Sequence, residues 1–459
     1  MREKNMIDNI ATGKLVLHCI SIDIYQKKDS SIKLSGHGTI KINNSGALHL
    51  ELICTSATNI NTIMGPARLP HDLLNEDDKL HMVATTMSGD IFSSNGFSIR
   101  LGFMATQTPS LFNIGLSHIT KTTKVKYRDP AAPNYLYFVL DEESQIPKNR
   151  INSTESSLDG NSLEWNQTCI DMNGYTVTII NRKSKVEIEV SGEFVTEKIL
   201  EAIKFYVGLS NATMPQPFYI LDKSEESIES IISTSLSNRR RTSASPLTEH
   251  IGNEEYKDNQ YHYNILRQLI NLYESDSNQF NSLFSQWQRV WHSFQSNHAI
   301  TTLTLAVAIE GLLNDIYIPE IKEAQACKTK DPDTENLKHQ IKNLNITQDH
   351  RQRLLSSIGH WNDVTATKAL DELVSNCIIT KEEKDNWKKL RNEKAHPKTM
   401  GAGDVFIESD RDKMLSCINL FHKLILNKLK FSGPMVIQGL NNDSDVIVYT
   451  YRNIYRKEK

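Results

Sequence analysis

The sequence predicts an α+β protein in which a β-rich N-terminal region precedes an all-α C-terminal domain. Three observations carry this. In the first half, apolar residues alternate with polar ones, the period of a half-buried strand. From Tyr261 onward they recur every three or four residues, the period of a helix. Between the two patterns, Ser224 to Asp258 is rich in Ser, Glu, Asn and Arg. The expected organisation is a β-rich region over 1–222, a linker over 223–258 and a helical domain over 259–459. Arg239-Arg240-Arg241, in the middle of the linker, reads as solvated charge rather than an RNA-contacting patch.

The elements follow in order. Ile20, Ile22 and Ile24 alternate with Ser21, Asp23 and Tyr25 and predict a strand. Ile40 and Ile42, the turn formers Asn43-Asn44-Ser45-Gly46, and then Leu48, Leu50 and Leu52 predict a hairpin. Further strands are expected over 80–86, 96–102, 119–127 and 135–140. A second hairpin carries Tyr175, Val177 and Ile179 on one arm and Val186, Ile188 and Val190 on the other, with Arg182-Lys183-Ser184 as its turn. Ile199, Ile203 and Val207 predict a helix over 196–208, and residues 142–164 read as a loop. In the second half, Ile265, Leu269 and Leu272 open the helical pattern. Phe284, Trp287 and Trp291 continue it as a core stripe rather than a base-stacking surface. A long apolar helix is expected from about Ala299 to Tyr317, interrupted only by Glu310. Met414, Cys417, Phe421 and Leu424 line the last clear helix. The tail from Val446 to Tyr455 fits either a closing strand or an exposed arm.

Composition bounds the function. With 459 residues, 39% hydrophobic and 23% charged, the chain has the make-up of a soluble globular protein of two or three domains. A formal net charge of −3 gives no overall nucleic-acid footprint, so any RNA contact must come from a local patch. Six scattered cysteines, without a CxxC pair or finger-like spacing, read as reduced residues of a cytoplasmic protein. No apolar run reads as a membrane span, and Met1-Arg2-Glu3-Lys4-Asn5 does not begin a signal peptide. No Walker loop, dinucleotide fingerprint, HExxH or histidine cluster is present, so neither cofactor nor metal is expected.

The most informative segment is Leu390-Arg391-Asn392-Glu393-Lys394-Ala395-His396-Pro397. Thr380 and Glu383 have the spacing of a capping box, so a helix starts near Lys381. Pro397 disfavours helical geometry at His396, so the helix ends near Ala395. On an ideal helix Arg391 and His396 would sit about 140° apart; the break lets His396 turn back toward the arginine or toward a second copy of the chain. A permanent cation that clamps a phosphate, beside a group that moves protons near neutral pH, is what attack of a ribose 2′-hydroxyl on its own phosphate requires. A surface helix ending in Lys, Arg and His also complements its own dipole without any function. Glu310 tips the balance, because a carboxylate in an apolar helix needs a partner and Arg391 is a sensible one.

The apolar helix with its single Glu, the Arg-Asn-x-x-x-His element and the closing amphipathic helix resemble a HEPN domain. More narrowly, they resemble the Apea-like HEPN domains joined to a β-rich part in prokaryotic anti-phage proteins. The resemblance covers about the last 200 residues. It implies an all-α HEPN helical bundle and a metal-independent endoribonuclease with Arg391 and His396 as catalytic pair and Asn392 in support; Glu310 carries over more weakly. It also implies RNA as substrate, with tRNA a candidate, and a homodimer that forms the active site where two HEPN domains meet. The biological role implied is abortive, toxin-like defence, with a phage-derived trigger bound by the N-terminal region. The alternative is a non-catalytic HEPN dimerisation module beside a ligand-recognising N-terminal domain.

Overall fold

The computed structural model describes residues 2–27, 32–58, 67–70, 72, 75–101, 109–125, 133–141, 144–154, 162–182, 185–224, 227–234, 247, 259–326, 332–359, 363–395, 408–439 and 444–454. The chain divides into two compact units, one of Met1–Val207 with Thr213–Arg241 and one of Gly208–Ala212 with Thr242–Lys459.

The first unit opens with helix α1 (Arg2–Ala11) and strands β1 (Val16–Tyr25), β2 (Lys33–Ile42) and β3 (Leu48–Thr58). Then come β4 (Ala67–Leu69), β5 (Leu80–Thr86), β6 (Ile91–Phe97), β7 (Ile99–Leu101), β8 (Ser110–Leu116), β9 (His118–Lys124) and β10 (Asn134–Leu140). Strands β11 (Arg150–Thr154), β12 (Ser162–Asp171), β13 (Tyr175–Asn181) and β14 (Val186–Gly192) lead to helix α2 (Thr196–Asn211). Strands β15 (Pro217–Lys223) and β16 (Ser227–Ser233) follow.

Fourteen strands form one sheet in the order β11-β12-β13-β14-β10-β15-β16-β9-β6-β5-β1-β2-β3-β8, and β4 pairs with β7 separately. The sheet is two antiparallel halves joined where β16 runs beside β9, Ser227 opposite Lys124 and Ser233 opposite His118. Strands β14 and β15 both pair antiparallel with β10, so they are parallel to each other and α2 is their crossover.

Burial explains the hairpins. Ile40, Ile42, Leu48, Leu50 and Leu52 are all buried, on the inward positions of β2 and β3. The turn closes because the Asn43 side-chain oxygen accepts the Ser45 and Ala47 N–H groups at 3.0 and 2.9 Å, while Gly46 takes a φ of 79°. Ile20 departs from the alternation. A register shift between Cys19 and Ile22 turns it outward to 61% exposure, while Ile22 and Ile24 stay buried. The strand expected over 96–102 is in fact the end of β6 and the separate β7. Residues 142–164, expected as loop, contain β11 and the start of β12. Strand β16 falls inside the stretch expected as linker, and Arg239-Arg240-Arg241 lies outside the described residues.

The second unit begins with α3 (Gln260–Ser275) and α4 (Ser277–Ser293). Helix α5 (His298–Leu312) continues through one π turn, Leu313–Tyr317, into α6 (Ile318–Ala326). Then come α7 (Pro332–Lys342), α8 (Gln348–Gly359), α9 (Ala366–Ser375), α10 (Lys381–Ala395) and α11 (Glu408–Lys428). Strands β17 (Gly433–Gln438) and β18 (Ser444–Tyr449) are the last elements. The aromatic stripe is core: Trp287 is fully buried and stacks on Phe421, centroids 6.4 Å apart.

This corrects the all-α bundle expected for residues 259–459. Strands β17 and β18 form an antiparallel hairpin from Gly433 opposite Tyr449 to Gln438 opposite Ser444. The cause is local. Val436, Ile437, Val446, Ile447 and Val448 favour strand geometry. Asn419 of α11 then binds both main-chain groups of Gln438, at 3.2 and 2.9 Å, and the Tyr449 hydroxyl donates to Asn427 at 3.2 Å. The tail left open between strand and arm is thus partly a strand. A second correction concerns apolar length. The helical run His298–Ala324 is long and apolar enough to cross a membrane by length and composition, and half of its apolar window is buried inside the fold, as in a core helix.

Gly36 and Gly38 are dictated by close approach. A Cβ on Gly38 would stand 1.9 Å from the Glu51 carbonyl oxygen, and one on Gly36 2.0 Å from that of Ile53. Gly38→Ala must therefore force β2 away from β3. It is expected to lower unfolding free energy by about 1–3 kcal/mol in urea denaturation; an unchanged midpoint would show that the strands can part freely.

Candidate functional site

Helix α10 starts where the sequence places it. The Thr380 N–H donates to Glu383 Oε2 at 2.7 Å and the Glu383 N–H donates to Thr380 Oγ1 at 3.1 Å, a reciprocal capping box. The other Glu383 oxygen accepts from Lys423 Nζ of α11 at 2.7 Å, both side chains being about nine-tenths buried. One turn further, Trp387 is 2% exposed and its indole N–H donates to the Ala306 carbonyl of α5 at 3.1 Å.

The next turn of both helices brings Arg391 to Glu310. Arg391 Nε donates to Glu310 Oε2 and Nη2 to Oε1, each at 2.8 Å, a two-point fork. The Trp387–Ala306 and Arg391–Glu310 contacts thus join α10 to α5 at two neighbouring places. The guanidinium also lies over the Trp387 ring, 5.8 Å from its centroid. The Glu310 hydrogen bonds push the Arg391 pKa further up, so the cation is permanent.

The pair is at the surface. The side chain of Arg391 is 45% exposed and that of Glu310 29%. A guanidinium has five N–H donors; Glu310 takes two, and the other three have no partner among the described residues. Asn392 is exposed beside it. Helix α10 ends at Ala395, and His396 lies outside the described residues. His422 of α11 is no substitute as proton carrier. It is 2% exposed, and burial pushes its pKa down to about 3. Among the described residues no three His, Cys, Asp or Glu side chains are grouped to hold a metal ion.

An exposed apolar stripe leads to the pair. Ile300, Leu303 and Val307 of α5 are 48%, 42% and 52% exposed, and their spacing continues to Glu310. Sequence reasoning linked Arg391 to Glu310 and placed Trp387 one turn away. It missed Lys423 and the exposed stripe, because a helical period shows which residues share a face but not which faces stay uncovered.

No protein-family model, curated protein or solved structure matches this chain.

The buried Glu383–Lys423 pair holds the start of α10 on α11. Lys423→Met strips a buried carboxylate of its cation and is expected to cost about 3–5 kcal/mol in equilibrium unfolding. A loss below about 1 kcal/mol, the range of a solvated pair, would show that the contact does not hold the helix.

Proposed function

We propose that the chain is a metal-independent endoribonuclease of HEPN type that cuts RNA in anti-phage defence. The observation that supports it best is the state of Arg391. The side chain is held in one orientation by Glu310, yet keeps three N–H donors for a ligand, five residues before a histidine. Lys388, Lys389 and Lys394 surround it in sequence against only Glu393, the local basic patch that RNA contact needs on a chain of net charge −3.

In this mechanism His396 takes the 2′-hydroxyl proton. The 2′-oxygen forms a bond to phosphorus, the bond to the 5′-oxygen breaks, and the leaving oxygen receives a proton from a second acid. Arg391 holds the phosphate and stabilises the negative charge that grows on it. Asn392 orients one of them by hydrogen bonding. The products are a cyclic phosphate, opening to a 3′-phosphate, and a 5′-hydroxyl. The RNA substrate, tRNA included, implies a cytoplasmic site of action, and the first unit takes the role of sensor for a phage-derived trigger.

Acid and base must stand on opposite sides of the phosphate, and one motif carries a single histidine. A homodimer through the second unit supplies both. The stripe Ile300, Leu303 and Val307 supports α5 as the contact surface, since it is apolar, exposed and continuous with the Arg391–Glu310 pair. The fork itself favours a second possibility, a non-catalytic dimerisation module in which Arg391 only neutralises Glu310.

Cleavage of total RNA or tRNA should survive EDTA, and Arg391→Ala and His396→Ala should each abolish it in a folded protein. Equal cleavage by both variants would remove the site; no cleavage by the parent protein under any condition would leave the module. In sedimentation, Leu303→Glu and Val307→Glu should convert a dimer to monomer and silence cleavage together. A monomeric parent protein with full activity would exclude the dimer.

A further inference from the structure

The short strands β4 and β7 place two arginines face to face. In their antiparallel register Arg68 stands directly opposite Arg100, between the pairs Ala67–Leu101 and Leu69–Ile99. Leu69 and Ile99 are 2% and 3% exposed, so the alternation of the strands puts both arginines on the open side. Like charges directly opposite each other destabilise a strand pair. Neither guanidinium meets a carboxylate among the described residues; Arg68 donates to the Ser98 hydroxyl at 3.1 Å.

The surrounding sequence does not relieve this charge. Residues 52–71 and 91–128 contain no Asp or Glu, while they hold Arg68, Arg100, Lys121, Lys124, Lys126 and Arg128; Lys121 pairs with Asp90, just outside the stretch, whereas Arg68 and Arg100 have no such pair among the described residues. A surface that merely needed solubility would mix both signs. Here β4 and β7 lie in two acid-free stretches, and the repulsion between Arg68 and Arg100 is left for something else to cancel.

The same residues line a cavity. A space of about 320 Å³ is bounded by Arg68, Ser98 and Arg100 on one side and by Leu111 and Asn113 of β8 on the other. That volume lies at the lower end of small-molecule sites. Strand β8 is the last in the sheet order among the described residues. The cavity thus offers two guanidinium forks, a hydroxyl, a carboxamide and one exposed apolar side chain. Paired forks match the several oxygens of a phosphate better than a single carboxylate.

We propose that Arg68 and Arg100 form a binding site for a small phosphate-bearing ligand in the first unit. The two guanidiniums bind the phosphate oxygens, and the bound anion cancels the repulsion between the strands. Ser98 holds Arg68 in place, and Asn113 contributes a hydrogen bond from β8. Binding thereby joins β7 to the sheet edge. The site is independent of Arg391 and of the proposed nuclease.

The test is calorimetric titration of the full chain carrying Arg391→Ala, so that the second unit's exposed arginine contributes nothing. Inorganic pyrophosphate and adenosine 5′-monophosphate are the two probes. One equivalent of pyrophosphate should bind per chain at low ionic strength. Arg100→Gln should weaken it by about tenfold or more, the loss of a charge-assisted hydrogen bond, and Arg68→Gln with Arg100→Gln should abolish it. Without ligand, Arg100→Gln should melt no lower than its parent, since a repulsion has been removed. Tighter binding of adenosine 5′-monophosphate assigns the site to nucleotides, and tighter binding of pyrophosphate assigns it to free phosphates. If neither probe gives saturable binding, or if Arg100→Gln binds as its parent does, the site does not exist. Arg100→Gln alone decides the matter should the double variant fail to fold.

Discussion

The hydrogen bond from the Trp387 indole to the Ala306 carbonyl is the constraint on which the candidate site depends. A buried indole N–H must find an acceptor or lose about 1–3 kcal/mol. With α10 held to α5 there, Arg391, one turn on from Trp387, reaches Glu310 of the same apolar helix in a two-point fork. At the start of α10, Glu383 answers to Thr380 and Lys423 at once. The helix is therefore fixed at its first turn and in its middle, and Arg391 is presented from a rigid element.

The two arginine arrangements in the chain differ in what surrounds them. Arg391 has its counter-charge two-thirds buried beside it and an aromatic ring beneath it. Such a group keeps its position whether or not a ligand is bound. Arg68 and Arg100 face each other and meet no carboxylate among the described residues. The first is a preorganised cation; the second is a pair of like charges set opposite each other by a strand register.

In the first unit, the sheet depends on where its strands depart from regularity. The shift at Cys19–Ile22 and the close approach at Gly36 and Gly38 both fall on β1 and β2, near the middle of one half of the sheet. The shift changes which side chains face inward, and the glycines let β2 and β3 approach where a Cβ would clash. The pairing of β16 with β9 then joins strands that are about a hundred residues apart, a contact that no local pattern encodes.

The sequence by itself determined the elements whose signal is local. The hairpin around Asn43 to Gly46, strand β5, the hairpin of β13 and β14, helix α2 and the capping box of α10 rest on neighbours within a few residues, and each could be read directly. The Arg391–Glu310 pair was legible too, because a lone carboxylate in an apolar helix demands a partner and few candidates existed. Tertiary structure alone decided the rest. Ile20 turned outward because a partner strand imposed a bulge. Between the closing strand and the exposed arm that the tail allowed, the contacts of Asn419 and Asn427 of α11 with Gln438 and Tyr449 decided for the hairpin of β17 and β18. Lys423 reached Glu383, and Arg68 came to face Arg100, through contacts whose free energy comes from burial and pairing across long stretches of chain. Periodicity reports which face of a segment is apolar; only the packed fold decides what that face meets.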